Sequence, residues 1–116
     1  MISNQISYIA LWSKELQVNR SVFANLLGLP IAYEDENVVV FQTEGTQLVL
    51  QRAIDADADL DGTIQFGFEV ADLDGVTKSL ENGGQMITVN REELELDQRV
   101  TVLRLASGQK VEFIGK

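Results

Sequence analysis

The feature that most constrains this chain is that one pattern of strand and helix signals is written twice. "QISYIALWS" alternates loosely and carries the Ile and aromatic residues that favour a strand. "SKELQVNRSVFANLLGLP" follows, with Val18, Val22, Phe23, Leu26 and Leu27 near the spacing of one helical face. Ser13 is placed to cap that helix, Gly28 to end it, and Pro30 to keep it from resuming. The four apolar residues Val22, Phe23, Leu26 and Leu27 are therefore expected in the core. "IAYED" and "NVVVFQT" read as strands joined at Asp35-Glu36-Asn37, and "TQLVLQRA" reads as another after Glu44-Gly45. After the acidic, small-residue stretch "IDADADLDG" the order repeats. "TIQFGFEV" is a strand. "DLDGVTKSLENGG" is a short helix capped by Asp72, with Leu73, Val76 and Leu80 on one face, Gly75 weakening it and Gly83-Gly84 ending it. "QMITV", "RVTVLRL" and "KVEFI" are three more strands. Laid over each other, the copies match Tyr8 with Gln65, Ala10 with Gly67, Leu11 with Phe68 and Glu15 with Asp72, so the pattern repeats while the residues do not.

A duplicated strand-helix-strand-strand-strand unit predicts an α+β fold: tandem βαβββ modules forming a curved mixed sheet around a cleft, one helix on the outer face of each module. Module one spans about 5–52, a linker about 53–62 and module two about 63–116, together one domain of 116 residues. A hydrophobic fraction of 45% and a single Pro fit a folded globular chain. The formal net charge of -9 repels phosphate backbones and anionic lipid, so neither nucleic acid nor membrane is expected as a partner. No apolar run approaches the roughly 18 residues that span a bilayer, and no basic segment precedes an apolar core at the start, so the expected location is cytoplasmic. The chain has no Cys and no His. That excludes disulfides, thiolate metal sites, cysteine nucleophiles, the Ser-His-Asp relay and the two-His-one-carboxylate iron site.

Three stretches, in order, resemble the vicinal oxygen chelate superfamily, which contains glyoxalase I, extradiol dioxygenases, and the fosfomycin and bleomycin resistance proteins. "SVFANLLGLP" is similar to that family's helix end, an aromatic pair followed by Leu-Gly-Leu, with Val22 in place of the first aromatic and Phe23 at the second. "FEVADLDGVTKSLENGG" resembles its second strand-to-helix turn. "LASGQKVEF" resembles its Asp-Pro-x-Gly-Asn turn before an Ile-Glu-Leu strand, with Ala106-Ser107 replacing Asp-Pro and Gly108 kept. The resemblance runs from Ile6 to Ile114. It implies that the four metal-holding positions of the metal-dependent members fall on Tyr8, Val49, Gln65 and Glu112. Val49 has no donor atom, Gln65 offers a neutral oxygen, and Glu112 alone matches fully. A divalent ion needs several N, O or S donors, so the expectation is a metal-free branch with no cofactor.

Alternation along the strands sends Tyr8, Ala10 and Trp12 to the cleft from the first strand, Gln47, Val49 and Gln51 from the fourth, Gln65, Gly67 and Glu69 from the fifth, and Glu112 from the last, while Val111 and Phe113 turn to the helix side. Aromatics, amides and two carboxylates in one apolar-walled cleft suit a small organic ligand. Tyr8, Trp12, Gln47, Val49, Gln51, Gln65, Gly67, Glu69 and Glu112 are the candidate binding residues. The expected function is reversible binding of a cationic or aromatic compound by a protein of the glyoxalase and bleomycin-resistance type. The alternative is a lyase or isomerase of the same superfamily in which Glu112 is the acid or base. The resemblance further implies a homodimer. Asp57, Asp59, Asp61 and Gly62 match the opening of a calcium-binding EF-hand loop, but Phe68 stands where the bidentate Glu belongs, so "DADADLDG" reads as an acidic solvated linker. "REELELD" is a polar excursion and a candidate lid. Gly83-Gly84 and Gly108 are turn residues, with no lysine or helix start after them to cradle phosphate.

Overall fold

A computed structural model describes residues 5–90 and 98–116. The excursion 91–97, expected as a candidate lid, lies outside the described residues. The chain divides into two compact units, Tyr8–Gln65 and Phe66–Lys116 with the short segment before Tyr8. Each builds the βαβββ order that the sequence pattern predicts.

In the first unit, β1 (Tyr8–Ser13) runs parallel to β4 (Gln47–Arg52), and β3 (Val38–Phe41) pairs antiparallel with β4 and with β2 (Ile31–Glu34). The order across the sheet is therefore β2-β3-β4-β1. Leu16, Val39, Phe41 and Leu50 are buried between one face of this sheet and the helix, with Leu11, Phe23, Ala24, Leu29, Ile31 and Leu48 packed around them. Phe23 and Phe41 meet with ring centroids 5.7 Å apart, tilted by 55°. The β2–β3 turn is tied by the Asp35 carboxylate, which accepts the backbone N–H groups of Asn37 and Val38 and the hydroxyl of Tyr33. Those bonds, the Asn37 amide foremost and Tyr33 next, hold the Asp35 carboxyl below its ordinary value.

The first helix departs from expectation in form and in orientation. It is an α-helix, α1 (Leu16–Ser21), continued by a π-helical turn, Val22–Leu26, in which the Leu27 N–H reaches back five residues to the Val22 carbonyl. Ser13 does not cap it; its hydroxyl accepts the Glu15 N–H just outside. Gly28 does take the left-handed conformation, φ +76°, and the Leu29 N–H closes on the Phe23 carbonyl six residues back, one residue wider than a Schellman closure because the last turn is π-helical. Of the four residues expected in the core, Phe23 is half-buried in the cluster, whereas Val22, Leu26 and Leu27 are exposed, as is Val18. The buried stripe runs instead through Leu16 and the Phe23-Ala24 pair, with the half-buried Asn19 and Arg20 between them. Arg20 holds that place because its guanidinium forks onto Glu34, Nε to Oε2 at 2.6 Å and Nη2 to Oε1 at 3.0 Å. Two polar residues in the inward stripe hid the face from a count of apolar spacing.

The acidic stretch read as a linker forms a 3₁₀-helix, Asp55–Leu60, preceded by the fully buried Ala53.

In the second unit, β5 (Ile64–Glu69, shared with the first unit through its first two residues) runs parallel to β8 (Lys110–Gly115), and β7 (Arg99–Arg104) pairs antiparallel with β8 and with β6 (Met86–Asn90). This is the topology of the first unit again. The helix α2 (Leu73–Asn82) starts where Asp72 accepts the Gly75 N–H at 3.0 Å and buries Leu73 and Val76 against Val70, Leu103, Val111 and Phe113. Gly75 has a use beyond weakening the helix: a Cβ there would fall on the Asp72 carboxylate, so the cap requires its absence.

Candidate functional site

Strand register decides which side chains share a face. In the first unit Tyr8 pairs with Gln47, Ala10 with Val49 and Trp12 with Gln51, while Val40 pairs with Val49 and Val38 with Gln51. Their neighbours Leu11, Leu48, Leu50, Val39 and Phe41 belong to the helix-side core. Alternation therefore gives Tyr8, Ala10, Trp12, Gln47, Val49 and Gln51 one common face, away from that core. Ala10 and Val49 are buried on it, Tyr8, Trp12 and Gln51 are half-buried, and Gln47 is exposed. Gln65 is only 5% exposed, and its Oε1 accepts the Trp12 indole N–H at 3.0 Å. That bond satisfies the one polar atom of the indole.

The other candidate residues lie in the second unit. Gly67 on β5 pairs with Glu112 on β8, and Phe68 with Phe113. Val111 and Phe113 are buried in the second core, the latter stacked on Phe68 at 5.8 Å. Glu112 is half-buried between them in sequence, on the opposite side of the pleat, as alternation requires. Gly67 is buried and Glu69 is exposed, its N–H donating to the Ser7 hydroxyl at 2.9 Å.

The four positions assigned to a metal do not fit one. Val49 has no donor atom, and Gln65 offers only a neutral amide oxygen. Among the described residues no group of three or more Asp or Glu is placed to hold an ion, and the carboxylates of the acidic 3₁₀ segment are no exception. Asp61 beyond it accepts the Lys14 N–H at 2.8 Å.

Trp12 and Gln51 open onto a cavity of about 420 Å³ within the first unit. Asn37, Val38, Arg52, Ile54, Asp55 and Asp57 complete most of its lining. The size lies in the range of small-molecule sites, roughly 300–1,000 Å³. Sequence alternation leaves Arg52 out of the candidate set, because it follows Gln51 on β4 and is out of step with Gln47, Val49 and Gln51. At the strand end it borders the cavity. Its backbone N–H bonds the Asn37 carbonyl at 2.9 Å, yet its side-chain Nε is buried with no hydrogen-bond partner. A buried donor left unpaired costs about 1–3 kcal/mol, and more when charged. Asp55 sits at φ +53°, the one non-glycine residue in the left-handed region among those described. The sequence signal for this corner was faint: one arginine closing an otherwise uncharged strand, directly before an acidic run.

No protein-family model and no curated protein matches the sequence. Solved structures do match in fold. A Streptomyces coelicolor methylmalonyl-CoA epimerase variant, solved with 2-nitronate-propionyl-CoA, superposes with a TM-score of 0.81 at 14% identity, over 100% of this chain and 99% of that one. A glyoxalase/bleomycin resistance protein/dioxygenase superfamily member from Vibrio splendidus gives 0.74 at 17% identity, over 94% and 97%. An extradiol ring-cleaving dioxygenase from B. fuscum gives 0.74 at 20% identity; 97% of this chain covers 32% of that longer one. The chain thus has the vicinal oxygen chelate fold. Among the described residues no helix is long and apolar enough to cross a membrane.

Proposed function

We propose that this protein reversibly binds a small organic molecule bearing an aromatic or cationic group, without a metal, on the sheet face of the first unit that carries Trp12. The observation that carries the reading is the position of Trp12. It borders a cavity of small-molecule size while its indole N–H is already satisfied by a buried glutamine. What the ring has left to offer there is its apolar, electron-rich surface, which favours stacking and, for a cation over the face, about 0.5–2 kcal/mol. The lack of a fitting donor set at Val49 and Gln65 supports a metal-free site.

A thermal-shift screen of the purified protein against aromatic, cationic and dicarbonyl compounds, with divalent metals alongside, tests this. A binder present at a hundred times its Kd stabilises the native state by about 2.7 kcal/mol, a readable rise in midpoint. The reading predicts rises with aromatic or cationic compounds that disappear in Trp12→Ala. A screen in which metals alone raise the midpoint would refute it.

We further propose that the protein works as a homodimer. The exposed Val18, Val22, Leu26 and Leu27 on the first helix support this, since contiguous exposed apolar surface is unusual on a monomer. Sedimentation at micromolar concentration should show a species of twice the chain mass; a monomer throughout would reject it.

A further inference from the structure

The cavity beside Trp12 contains more than an aromatic wall. Arg52 lines it too, and its Nε is buried with no hydrogen-bond partner. Two carboxylates, Asp55 and Asp57, line the same cavity, and no ion pair joins either of them to Arg52. A cation and two anions bordering one small space, with the cation's donor unmet, form an arrangement that a neutral or singly charged ligand would satisfy only in part. An anionic acceptor is needed at Arg52, where the planar guanidinium suits a carboxylate. A cationic donor is needed at the aspartates. An apolar or aromatic body is needed at Trp12. The amides of Asn37 and Gln51 add neutral hydrogen-bonding capacity around the same lining.

We propose that this cavity takes a zwitterionic amino acid with an aromatic side chain. Its carboxylate lies on Arg52, its ammonium on Asp55 and Asp57, and its ring on Trp12. This rests on the reading that Trp12 borders a small-molecule site, and it deepens that reading by fixing the charges of the ligand. The left-handed turn at Asp55 fits the same assignment: a non-glycine residue held there turns the chain immediately after the cavity residue Ile54.

The chain has a single tryptophan and it borders this cavity, so its fluorescence reports a change there. Three probes share a phenyl ring and differ in charge: L-phenylalanine carries both groups, 3-phenylpropanoate only the carboxylate, and phenethylamine only the ammonium. Each is titrated against wild type, Arg52→Gln and Arg52→Lys, with thermal melts confirming that the variants fold. The expected result is that phenylalanine binds wild type at least tenfold more tightly than either one-charge probe. Arg52→Gln should remove its advantage over phenethylamine, and Arg52→Lys should restore part of it. Phenethylamine binding as tightly as phenylalanine to wild type would overturn the carboxylate half, and 3-phenylpropanoate doing so would overturn the ammonium half. Both leave the aromatic-binding reading intact, because the ring still perturbs Trp12. Silence from all three probes overturns the amino-acid assignment, and the wider thermal-shift screen then decides the broader reading separately. The wild-type comparison needs no variant, so a misfolded Arg52→Gln would not rescue the proposal.

Discussion

Leu16 and Leu26 stand on one continuous helical segment and differ chiefly in burial: Leu16 is 2% exposed and Leu26 is 78% exposed. The same substitution, Leu→Ala, therefore isolates the direction in which the helix faces. At Leu16 it removes three buried carbons, worth about 2.4 kcal/mol at roughly 0.8 kcal/mol each. The cavity left between Leu16 and its neighbours Val39, Phe41 and Leu50 raises the loss into the range of about 2.7–5 kcal/mol. At Leu26 only about a fifth of the side chain is covered, which leaves roughly 0.5 kcal/mol. The helix-propensity difference between Leu and Ala is small and common to both sites. Urea unfolding, followed at two protein concentrations, reads the difference. With a slope of about 1–3 kcal/mol/M, Leu16→Ala should lower the midpoint by on the order of 1 M or more, while Leu26→Ala barely moves it at the lower concentration. Equal losses for the two variants at low concentration would refute the orientation and return the core face to Val22, Leu26 and Leu27.

Three further outcomes follow from local geometry. Gly115→Ala places a Cβ 2.6 Å from the Val70 carbonyl oxygen and 3.3 Å from the Leu73 Cβ, so it should destabilise by about 1–3 kcal/mol in urea; a neutral result would show that β8 and α2 are less tightly apposed. Gly75→Ala gains about 1 kcal/mol of helix propensity but displaces the Asp72 cap, worth about the same, so the net should lie within about 0.5 kcal/mol. In an Asp72→Ala background the full gain should return, and additive effects would contradict the shared space. The Glu34 carboxyl is held below its ordinary 4.5 chiefly by the hydrogen bond from Arg20. A depressed carboxyl contributes stability that is present above its unfolded value and is lost as pH falls through the lower folded one. Melting temperature should thus decline below about pH 4.5, and less steeply in Glu34→Gln; identical acid profiles would rule the pair out as a contributor.

The topology was legible because strand alternation, turn residues and the Gly stops agree with one another in both copies, and each copy repeats the message of the other. The direction of Glu112 was legible for the same reason, since Val111 and Phe113 leave the pleat no alternative. The first helix was misread because hydrophobic spacing weighs side chains one at a time. It could not register that Arg20 is held in the inward stripe by Glu34, from a strand beyond the helix, nor that a π turn advances the face after Ser21. The acidic run was read as solvated chain because its composition is that of a linker; the i→i+3 bonds that wind it depend on Ile54 and Ala58 carbonyls, which carry no compositional mark. Arg52 was the deeper loss. Alternation assigns a side chain to one face or the other, and a strand end where both meet a cavity lies outside that two-way choice.

The parallel pair in each unit sets the order of events on the ribosome. Tyr8 meets Gln47 on β4, and Phe66 meets Val111 on β8, so the first strand of each unit finds its partner only after the whole helix and two further strands have been made. Until β4 emerges, β1 with its Ile, Leu and Trp is an unpaired edge, while the β2–β3 hairpin forms locally and early. Loop closure over so long a stretch precedes any gain from the pairing, which makes it the slow step of each unit. β8 is the last strand of the second unit, so that unit cannot close its sheet until Lys110–Gly115 has been made. A truncation that removes only "KVEFIGK" would leave β5 without its parallel neighbour and the second core without Val111 and Phe113.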